Sequence, residues 1–300
     1  MVAKREKRAI SGVLLLDKPI GVSSNGALQH AKRIYRAAKA GHTGNLDPIA
    51  TGLLPVCFGE ATKFSQYLTD SDKRYEAIIK LVETTDTGDA EGQVLERRPV
   101  AATLAQIEAA LRQFVGEIEQ VPPMYSALKH QGRPLYDYAR KGVEIERAAR
   151  RVVIYELVLI GFGGDELRVA VDCSKGTYIR VLAEDIGRAL GCGAHMTGLR
   201  RTRVGGFSLA GAVTLDQLEA MQDTQRDALL LPADVLTAAF PSVTLDRDSA
   251  FYFQRGQAIW QPRLEVRQLY RIYDDKQSFI GMAEVTDEGK LAPKRLVAIQ

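Results

Sequence analysis

Residues 41–52 read Gly-His-Thr-Gly-Asn-Leu-Asp-Pro-Ile-Ala-Thr-Gly, a glycine-rich segment between a predicted helix and a predicted strand. Glycine frees the backbone for turns and for close approach to another group, so we predict a loop here. The residues in it with acid, base or nucleophile capacity are His42 and Asp47. Because Asp47 precedes a proline, its backbone is extended and its carboxylate is held in a fixed direction. No lysine follows the glycines, which argues against a phosphate-binding loop of a nucleotide hydrolase.

The segments around this loop predict a mixed α and β domain. Apolar residues three and four positions apart from Ser24 onward predict a helix that ends near Gly41, and the apolar run 53–58 predicts a strand. A capping box at Thr103 begins a second predicted helix. The span 152–173 predicts two strands of a hairpin, joined at its glycines.

Length and pattern divide the chain into two parts. Three hundred residues exceed the usual size of one domain, so we expect a larger domain with a smaller companion. The last part changes to short alternating apolar runs between polar turns, which predict a small β-rich domain. The expected division is 1–244 and 245–300, with C-terminal strands over 269–272, 279–285 and 295–299.

The composition is that of an ordinary globular chain. Hydrophobic residues make up 46% and charged residues 26%, which excludes a disordered tail, a coiled coil and a collagen-like repeat. No apolar run is long enough to cross a bilayer, so no membrane partner is expected. Three widely separated cysteines suit a reducing compartment, and no signal-peptide stretch follows the basic start at Lys4, Arg5, Lys7 and Arg8. We therefore expect a cytoplasmic protein.

Charge is distributed unevenly along the chain. The net charge is only +3, but 125–151 carries seven Lys or Arg against three acids, and 213–250 carries two against seven. Tyrosines and a histidine accompany the basic segment, a composition that suits phosphate contact with stacking. We predict that 125–151 is an extended surface insertion whose basic residues could follow a phosphate backbone. Ordinary solvated faces explain either charged run alone about as well.

Other chemistries have weaker support. Cys192 and His195 have a zinc-like spacing and Cys173 could add a ligand, but zinc sites usually bring two such pairs. The acids within 86–91 fail the EF-hand spacing and predict a solvated turn. We expect no metal. On composition alone, an ordinary Asp-Pro turn with a surface histidine also explains the loop 41–52.

The chain resembles the TruB-type tRNA pseudouridine synthases. Residues 41–52 match the Gly-His-x-Gly-x-Leu-Asp-Pro-x-Ala-x-Gly signature of that family. Four further motifs also match, and all five occur along the chain in the family's order. They are LLLDKPIGVSS at 14–24, DKRY at 72–75, CSKGTYIR at 173–180 and GCGAHMTGLRRTR at 191–203. Ordered motifs are far more specific together than any one of them alone.

The resemblance implies a fold and an activity. The fold is α+β: a pseudouridine-synthase domain over 1–244, with a central mixed, largely antiparallel sheet flanked by helices, and a small PUA-like RNA-binding domain over 245–300. The reaction isomerises one uridine in the T loop of tRNA to pseudouridine, by cleaving the glycosidic bond, rotating the base and rejoining C5 to C1′. It implies a monomer that binds the T-stem loop and needs no metal, nucleotide or other cofactor.

The resemblance also implies a role for one carboxylate and one cation. Cleavage of a glycosidic bond builds positive charge at C1′, which a carboxylate can meet, and Asp47 corresponds to that catalytic carboxylate. Desolvation would raise its pKa, and a nearby cation would oppose this. Arg180, in the motif 173–180, is the candidate cation. A solvated helix residue is an equally good explanation of Arg180 from the residues alone.

Four more residues correspond to the binding site of a base turned out of its stack. Tyr75 corresponds to the aromatic that stacks on the target base, and His42 to the residue that meets the flipped nucleotide and its phosphate. Tyr178 and Leu199 correspond to positions that line the uracil pocket, although from the residues alone these two and Tyr75 would be explained as ordinary core residues. A second phosphate-binding stretch is predicted from Arg200, Arg201 and Arg203, although an ordinary surface explains these arginines too.

Some alternatives stay open at this level. An RNA-binding protein that helps tRNA to fold would use the same basic insertion and β-rich tail, as a secondary role or as the main one. Asp47 could form a covalent adduct or stabilise an elimination intermediate. The base that removes the proton from C5 is not identified beyond Tyr75 or Asp47.

Overall fold

The computed structural model describes residues 6–99 and 102–298. Lys4 and Arg5 of the basic start lie outside the described residues, as does Ile299, the last residue of the strand predicted over 295–299. Each described helix is too short or too polar to serve as a membrane span.

The chain forms short strands and helices joined by turns. The strands are β1 Gly12–Lys18, β2 Ala40–His42, β3 Ala50–Phe58, β4 Lys73–Leu81, β5 Glu83–Thr85, β6 Val94–Arg97, β7 Gly116–Gln120, β8 Lys129–His130, β9 Arg133–Pro134, β10 Arg150–Gly163, β11 Glu166–Cys173, β12 Ala194–Val204, β13 Phe207–Ser208, β14 Ser242–Thr244, β15 Ile259–Trp260, β16 Leu269–Tyr273, β17 Phe279–Val285 and β18 Lys290–Leu296. The helices are α1 Ser24–Ile34, α2 Ser65–Thr69, α3 Leu104–Arg112, α4 Leu135–Ala139, α5 Ile179–Ala189, α6 Leu215–Ala220, α7 Asp223–Asp227 and α8 Arg247–Gln254, with 3₁₀ turns at Gly59–Lys63, Leu209–Gly211 and Ala233–Thr237.

A nine-stranded sheet forms the centre of the larger part. Its order is β1-β3-β12-β4-β11-β10-β7, with β2 beside β3 and β13 beside β12. The pairing of β3 with β12 is parallel, and the other pairings are antiparallel. The predicted α+β fold, with a mixed and largely antiparallel sheet flanked by helices, is confirmed.

The helices that shape the site pack on one face of this sheet, which we call the front face. Alternate residues of β4, beginning with Tyr75, are buried there against α3 and α5. In the register of the sheet, Ala50 of β3 lies beside Leu199 of β12, which lies beside Ala77 of β4. Helices α1 and α6 pack on residues of β1 and β3 that share this face. The loop 43–49 therefore lies between two groups of helices.

The smaller part packs against the opposite face of the sheet, which we call the back face. Its five strands run in the order β14-β16-β17-β18-β15. Met282 of β17 is fully buried in a cluster with Val13 of β1 and Leu53 of β3. The rings of Phe64 and Phe279 meet edge to face across the two parts, with centroids 5.0 Å apart. The two parts therefore share one hydrophobic core.

Helix α1 is shorter than the sequence predicts. It ends at Ile34 instead of continuing toward Gly41. Arg36 has a φ of 53°, in the left-handed region, which breaks the helix. The buried Tyr35 donates a hydrogen bond from its hydroxyl to the carbonyl of Arg226 over 2.7 Å, which anchors the chain where it leaves the helix.

The insertion 125–151 is more structured than the extended segment predicted from its sequence. It contains a small hairpin of β8 and β9, followed by α4. Leu135, the first residue of α4, is 4% exposed, so the insertion has an apolar anchor of its own. Elements of two to five residues are too short to show a period along the chain, which is why the pattern failed here.

The C-terminal part differs from its prediction in three details. Strand β14, Ser242–Thr244, pairs with β16 and so brings the second sheet forward of the expected boundary at 245. Helix α8 was not predicted; Asp246 caps it by accepting a hydrogen bond from the N–H of Ser249 over 2.9 Å. The last strand, β18, begins at Lys290 and not at 295, because its exposed charged residues break the apolar alternation.

Candidate active site

The loop 43–49 is tied to the framework by hydrogen bonds that fix the backbone around Asp47. Ser24, the first residue of α1, donates from its hydroxyl to the carbonyl of Leu46 over 2.9 Å and accepts from the Leu46 N–H over 2.7 Å. The N–H of Ala50, at the start of β3, donates to the carbonyl of Asp47 over 3.0 Å. Asp47 therefore lies between two anchored residues, on the front face of the sheet.

The last glycine of the motif is required where β3 passes β12. Gly52 has a φ of 102°, a conformation that residues with a side chain rarely adopt. A Cβ atom on it would lie 2.3 Å from the carbonyl oxygen of Arg201, its partner in the parallel pairing. Gly41, at the other end of the motif, has no such restriction: a Cβ there would meet only a methyl group of Thr62 at 3.9 Å. The parallel pairing that follows the loop thus depends on Gly52.

Arg201 is buried beneath the loop, so its prediction as a phosphate-binding surface residue is wrong. It is 1% exposed. Its guanidinium donates to the carbonyl of Leu53 over 2.8 Å and to the carbonyls of Asn45 and Gly44 over 3.3 Å each. These bonds hold the loop that carries Asp47.

The two neighbouring arginines of that stretch are paired with acids instead. Arg200 forms an ion pair with Asp17, at 2.6 Å between Nη2 and Oδ2. Arg203 binds both carboxylate oxygens of Asp172, over 2.7 and 2.5 Å. Both guanidinium groups are therefore neutralised by a carboxylate, and neither is available to bind a phosphate as this structure has them.

Arg180 links the loop to two other segments. Its Nε lies 3.1 Å from Oδ2 of Asp47, and its Nη1 lies 3.3 Å from Oδ2 of Asp89. Its remaining donors bind the carbonyls of Thr87 and Tyr125, over 3.2 and 2.6 Å. The side chains of Arg180 and Asp89 are 6% and 3% exposed, whereas that of Asp47 is 38% exposed. Asp47 is therefore the carboxylate of this cluster that a ligand can reach.

The surroundings of Asp47 act on its ionisation in opposite directions. Burial raises the pKa of Asp47 above the usual value of an aspartate, and the charge of Asp89 adds to the rise. Arg180 is the strongest opposing influence, followed by Lys18. Lys18 is itself fully buried, which lowers its pKa to about 8, and its ammonium donates to two carbonyls of the turn that follows it. Two cations thus favour the charged form of a desolvated carboxylate.

Tyr75 and Leu199 come from neighbouring strands beside the loop. Tyr75 of β4 is 8% exposed, and Leu199 of β12 packs partly buried against the same core cluster, which includes Leu46 of the loop. Burial raises the pKa of Tyr75, so its hydroxyl stays protonated at neutral pH. The sheet thus places an aromatic ring and an aliphatic side chain next to the loop of Asp47.

Tyr178 lies at the N-cap of α5, two residues before Arg180. The side chain of Gln120, at the end of β7, accepts a hydrogen bond from the Tyr178 N–H over 3.0 Å and donates to its carbonyl over 3.3 Å. The tyrosine side chain is half-buried. Strand β7 therefore positions the start of α5, and with it both Tyr178 and Arg180.

His42 lies before the loop, in β2, where it pairs with Val56 of β3. Its Nδ1 atom is buried and has no hydrogen-bond partner within the described ranges. Burial, aided by the charge of Arg201, lowers the pKa of His42, so the imidazole is neutral at pH 7. The Nδ1 atom is therefore a buried polar atom whose hydrogen-bonding capacity is unused.

Asp89 is the functional candidate that the sequence does not reveal. It belongs to the acids of 86–91, which are predicted to form a solvated turn. In the structure it is 2% exposed, pairs with Arg180 and accepts a hydrogen bond from the hydroxyl of Thr87 over 2.6 Å. No pattern along the chain connects this turn with α5, so only the fold shows the pair.

The residues considered for a metal serve other contacts. In the described part of the chain, no group of three or more His, Cys, Asp or Glu is arranged to hold a metal ion. His195 is buried, with its Nδ1 3.1 Å from the carbonyl oxygen of Glu83. Cys173 and Cys192 are buried free thiols. The zinc alternative therefore has no structural support.

Comparisons with known proteins identify the family of this chain. Residues 32–179 match the TruB family pseudouridylate synthase N-terminal domain, residues 180–238 the tRNA pseudouridylate synthase B C-terminal domain, and residues 241–297 the C-terminal domain of pseudouridine synthase II TruB. A protein of Methylobacillus flagellatus named tRNA pseudouridine synthase B is 56% identical over 99% of this chain and 98% of its own length. One of the same name from Thiobacillus denitrificans is 58% identical over 98% of each chain.

A solved structure shows the same fold. The crystal structure of a Cbf5-Nop10-Gar1 complex contains a chain that is 26% identical and superposes with a TM-score of 0.72, over 95% of this chain and 84% of that one. Together with the family matches, this places the protein in the class of pseudouridine synthases. Within that class, the chain belongs to the TruB family.

Proposed function

We propose that this protein isomerises a uridine in the T loop of tRNA to pseudouridine, with Asp47 as the catalytic carboxylate. Membership of the family supports the conversion of uridine to pseudouridine in tRNA. The observation that carries the role of Asp47 is its contact with the buried Arg180, in a loop fixed at both ends, with 38% of its side chain exposed. A held, charged and accessible carboxylate is what the chemistry requires.

The chemistry follows from where charge develops. Breaking the bond from N1 to the ribose builds positive charge at C1′, and a carboxylate meets it as nucleophile or as ion-pair partner. Oδ2 of Asp47 is engaged with Arg180, which orients the group and favours its charged form. The base then rotates, C5 bonds to C1′ and loses its proton, and N1, released from the ribose, takes up a proton, so the product has the same atoms as the substrate. No oxidant, nucleotide or metal enters this balance.

The target base must leave its stack to reach Asp47. We propose that Tyr75 stacks on the turned-out uracil, that Leu199 and Tyr178 line its pocket, and that His42 meets the nucleotide and its phosphate. The position of Tyr75 and Leu199 in the core beside the loop supports this, as does the position of His42 directly before the loop that carries Asp47.

The rest of the molecule has supporting roles in this proposal. The basic insertion 125–151 contacts the T-stem loop, within a catalytic domain that spans 1–244, and the β-rich domain over 245–300 binds RNA as well. The protein acts as a monomer in the cytoplasm, where its tRNA substrate is found.

The test uses a T-stem-loop RNA incubated with the purified protein, without added metal or nucleotide. Pseudouridine is detected by chemical derivatisation, because its mass equals that of uridine. The wild type and Asp165→Asn, a change at an exposed aspartate in the β10–β11 turn, should both convert the RNA. Asp47→Asn should bind the RNA and show no conversion. Binding without conversion by the wild type would instead support a tRNA-folding helper.

A further inference from the structure

A basic groove lies on the front side of the molecule, apart from the site of Asp47. It has a volume of about 970 Å³ and is formed by the last turns of α1, the residues that follow them, α7, and the start of the described chain. Its cationic lining residues are Lys7, Lys32, Arg33, Arg36 and Arg226. Its acids are Glu219 and Asp223. The groove is therefore cationic overall, and nothing in the site described above uses it.

Part of this charge is unpaired. Arg36 and Arg226 both bind Asp223, the second over 3.1 Å. Across residues 6–99 and 102–298, no ion pair includes Lys7, Lys32 or Arg33. Cations at the end of a helix are favoured by the helix dipole, which accounts for the two on α1 but not for Lys7, which comes from a separate segment. Three free cations from two segments therefore meet at one opening.

Helix α1 connects this groove to the catalytic loop. Its first residue, Ser24, bonds Leu46 of the loop, and its last turn carries Lys32 and Arg33. Its eleven residues span roughly 16 Å. A duplex with the spacing of B-DNA covers that distance in about five base pairs, and an RNA duplex, which rises less per base pair, in about six. The groove is thus within reach of an RNA whose target base lies at Asp47.

The exposed side of α1 contains nothing that repels a phosphate backbone. The helix reads Ser-Asn-Gly-Ala-Leu-Gln-His-Ala-Lys-Arg-Ile and has no acidic residue. Its buried residues, Ala27, Leu28 and Ala31, face the core, so Asn25 and Gln29 lie on the outside in line with the two cations. The path along Asn25, Gln29 and the two cations is therefore polar, with the carboxylate of Glu219 beside it, 2.6 Å from His30.

We propose that this groove binds the phosphodiester backbone of the tRNA outside the T-stem loop, with Lys7, Lys32 and Arg33 as the contacts. The inference rests on the proposed function, because it assumes that the T loop lies at Asp47. On this proposal the groove contributes to the affinity for the whole tRNA and does not affect the rate of the chemical step.

The test measures the binding constants of the protein for full-length tRNA and for an isolated T-stem-loop RNA as a function of salt concentration. Each phosphate contact contributes about 0.9 to the slope of log K against log salt for duplex, and about 0.7 for single strands. The double variant Lys32→Gln/Arg33→Gln should therefore have a slope smaller by about 1.4 to 1.8 for full-length tRNA. Its slope for an isolated T-stem-loop RNA should equal that of the wild type. Thermal unfolding confirms that the variant is folded.

The matched control is Arg168→Gln. Arg168 is an exposed arginine of β11 between Leu167 and Val169, which face the front core, so its side chain points to the back face. It should leave both slopes unchanged. A full-length slope that stays at the wild-type value in the double variant would overturn the proposal, and so would an equal decrease for both RNAs or for the control.

The same experiment separates this inference from the proposed function. Conversion of the stem-loop RNA by the wild type tests the role of the site, and the slopes test the groove. Stabilisation of the wild type by tripolyphosphate, with unchanged tRNA slopes in the variant, would assign the groove to a free polyphosphate and overturn the RNA assignment.

Discussion

Arg180 joins segments that lie far apart in the chain. Its guanidinium contacts Asp47 in the loop, Thr87 and Asp89 in the turn after β5, and Tyr125 at the start of the insertion. A planar group with five N–H donors suits four acceptors, and a lysine could not replace it. Arg180 therefore sets the direction of the Asp47 carboxylate as well as favouring its charge.

Replacing Arg180 with methionine should move the acid limb of the pH profile to higher pH. Burial already raises the pKa of Asp47, and Arg180 is the main opposing influence, so its loss raises that pKa further. In the proposed mechanism Asp47 acts in its charged form, so we expect the variant to lose activity at a higher pH than the wild type as pH falls. Single-turnover rates measured across the pH range locate the acid limb of the profile. At the pH optimum, the rate of the variant should be roughly 10²- to 10³-fold below that of the wild type.

The Arg180→Lys variant separates charge from geometry. It keeps a cation near Asp47, so its acid limb should stay close to that of the wild type. Its rate should remain reduced, because the bonds to Thr87 and Tyr125 are lost. An acid limb that does not move in Arg180→Met would show that this guanidinium does not control the ionisation of Asp47.

Arg201→Met should destabilise the protein far more than Arg200→Met. The first change leaves the carbonyls of Gly44, Asn45 and Leu53 without a donor, and we expect a loss of about 2 kcal/mol or more in the free energy of unfolding. The second breaks a partly exposed ion pair of a kind that contributes about 1 kcal/mol or less. Denaturant unfolding compares them, and equal losses would contradict the role given to Arg201.

At the residue scale, the sequence identifies side chains in contiguous motifs better than it identifies their partners. Asp47 and Arg180 belong to motifs that can be recognised along the chain. Asp89 meets Arg180 only through the fold. Arg201 belongs to a cluster of arginines that is typical of a surface, and its burial follows from the parallel pairing of β3 with β12.

At the element scale, the parallel pairing of β3 with β12 predicts that substitution of Gly52 and of Gly41, the two ends of one motif, has different effects on stability. Gly52→Ala places a Cβ 2.3 Å from a backbone oxygen at a φ of 102°, so we expect a loss of about 2 to 3 kcal/mol in stability. Displacement of the loop should also lower turnover by roughly 10²-fold. Gly41→Ala has room and should stay within about 1 kcal/mol of the wild type. Thermal unfolding and single-turnover rates measure both, and similar effects would contradict the argument.

Elements with a strong local signal were predictable, and elements defined by tertiary contacts were not. The capping box at Thr103 begins α3 as predicted, and the β10–β11 hairpin turns at Gly164 and Asp165, one residue beyond the predicted glycine pair. The short elements of the insertion and the C-terminal helix α8 show too little periodicity to detect. The end of α1 depends on the burial of Tyr35, a contact made with a distant part of the chain.

At the scale of the whole molecule, the shared core predicts that both parts unfold together. Phe64→Ala and Phe279→Ala each remove a packed ring from the contact between the parts and should lower stability by about 3 kcal/mol. The double variant should lose about 1 kcal/mol less than the sum, because the rings interact directly. Calorimetry should show one transition that moves in every variant. Two transitions, of which only one moves, would contradict a shared core.

The bond from Arg180 to the carbonyl of Tyr125 has a consequence for substrate selection. Tyr125 is the first residue of the insertion, so a movement of the insertion is transmitted to the group that aligns Asp47. Under the proposed function, we expect an RNA that binds without seating the insertion to leave the carboxylate misaligned and to dissociate unmodified. We therefore expect selection among RNAs at the chemical step, by an induced fit that follows binding.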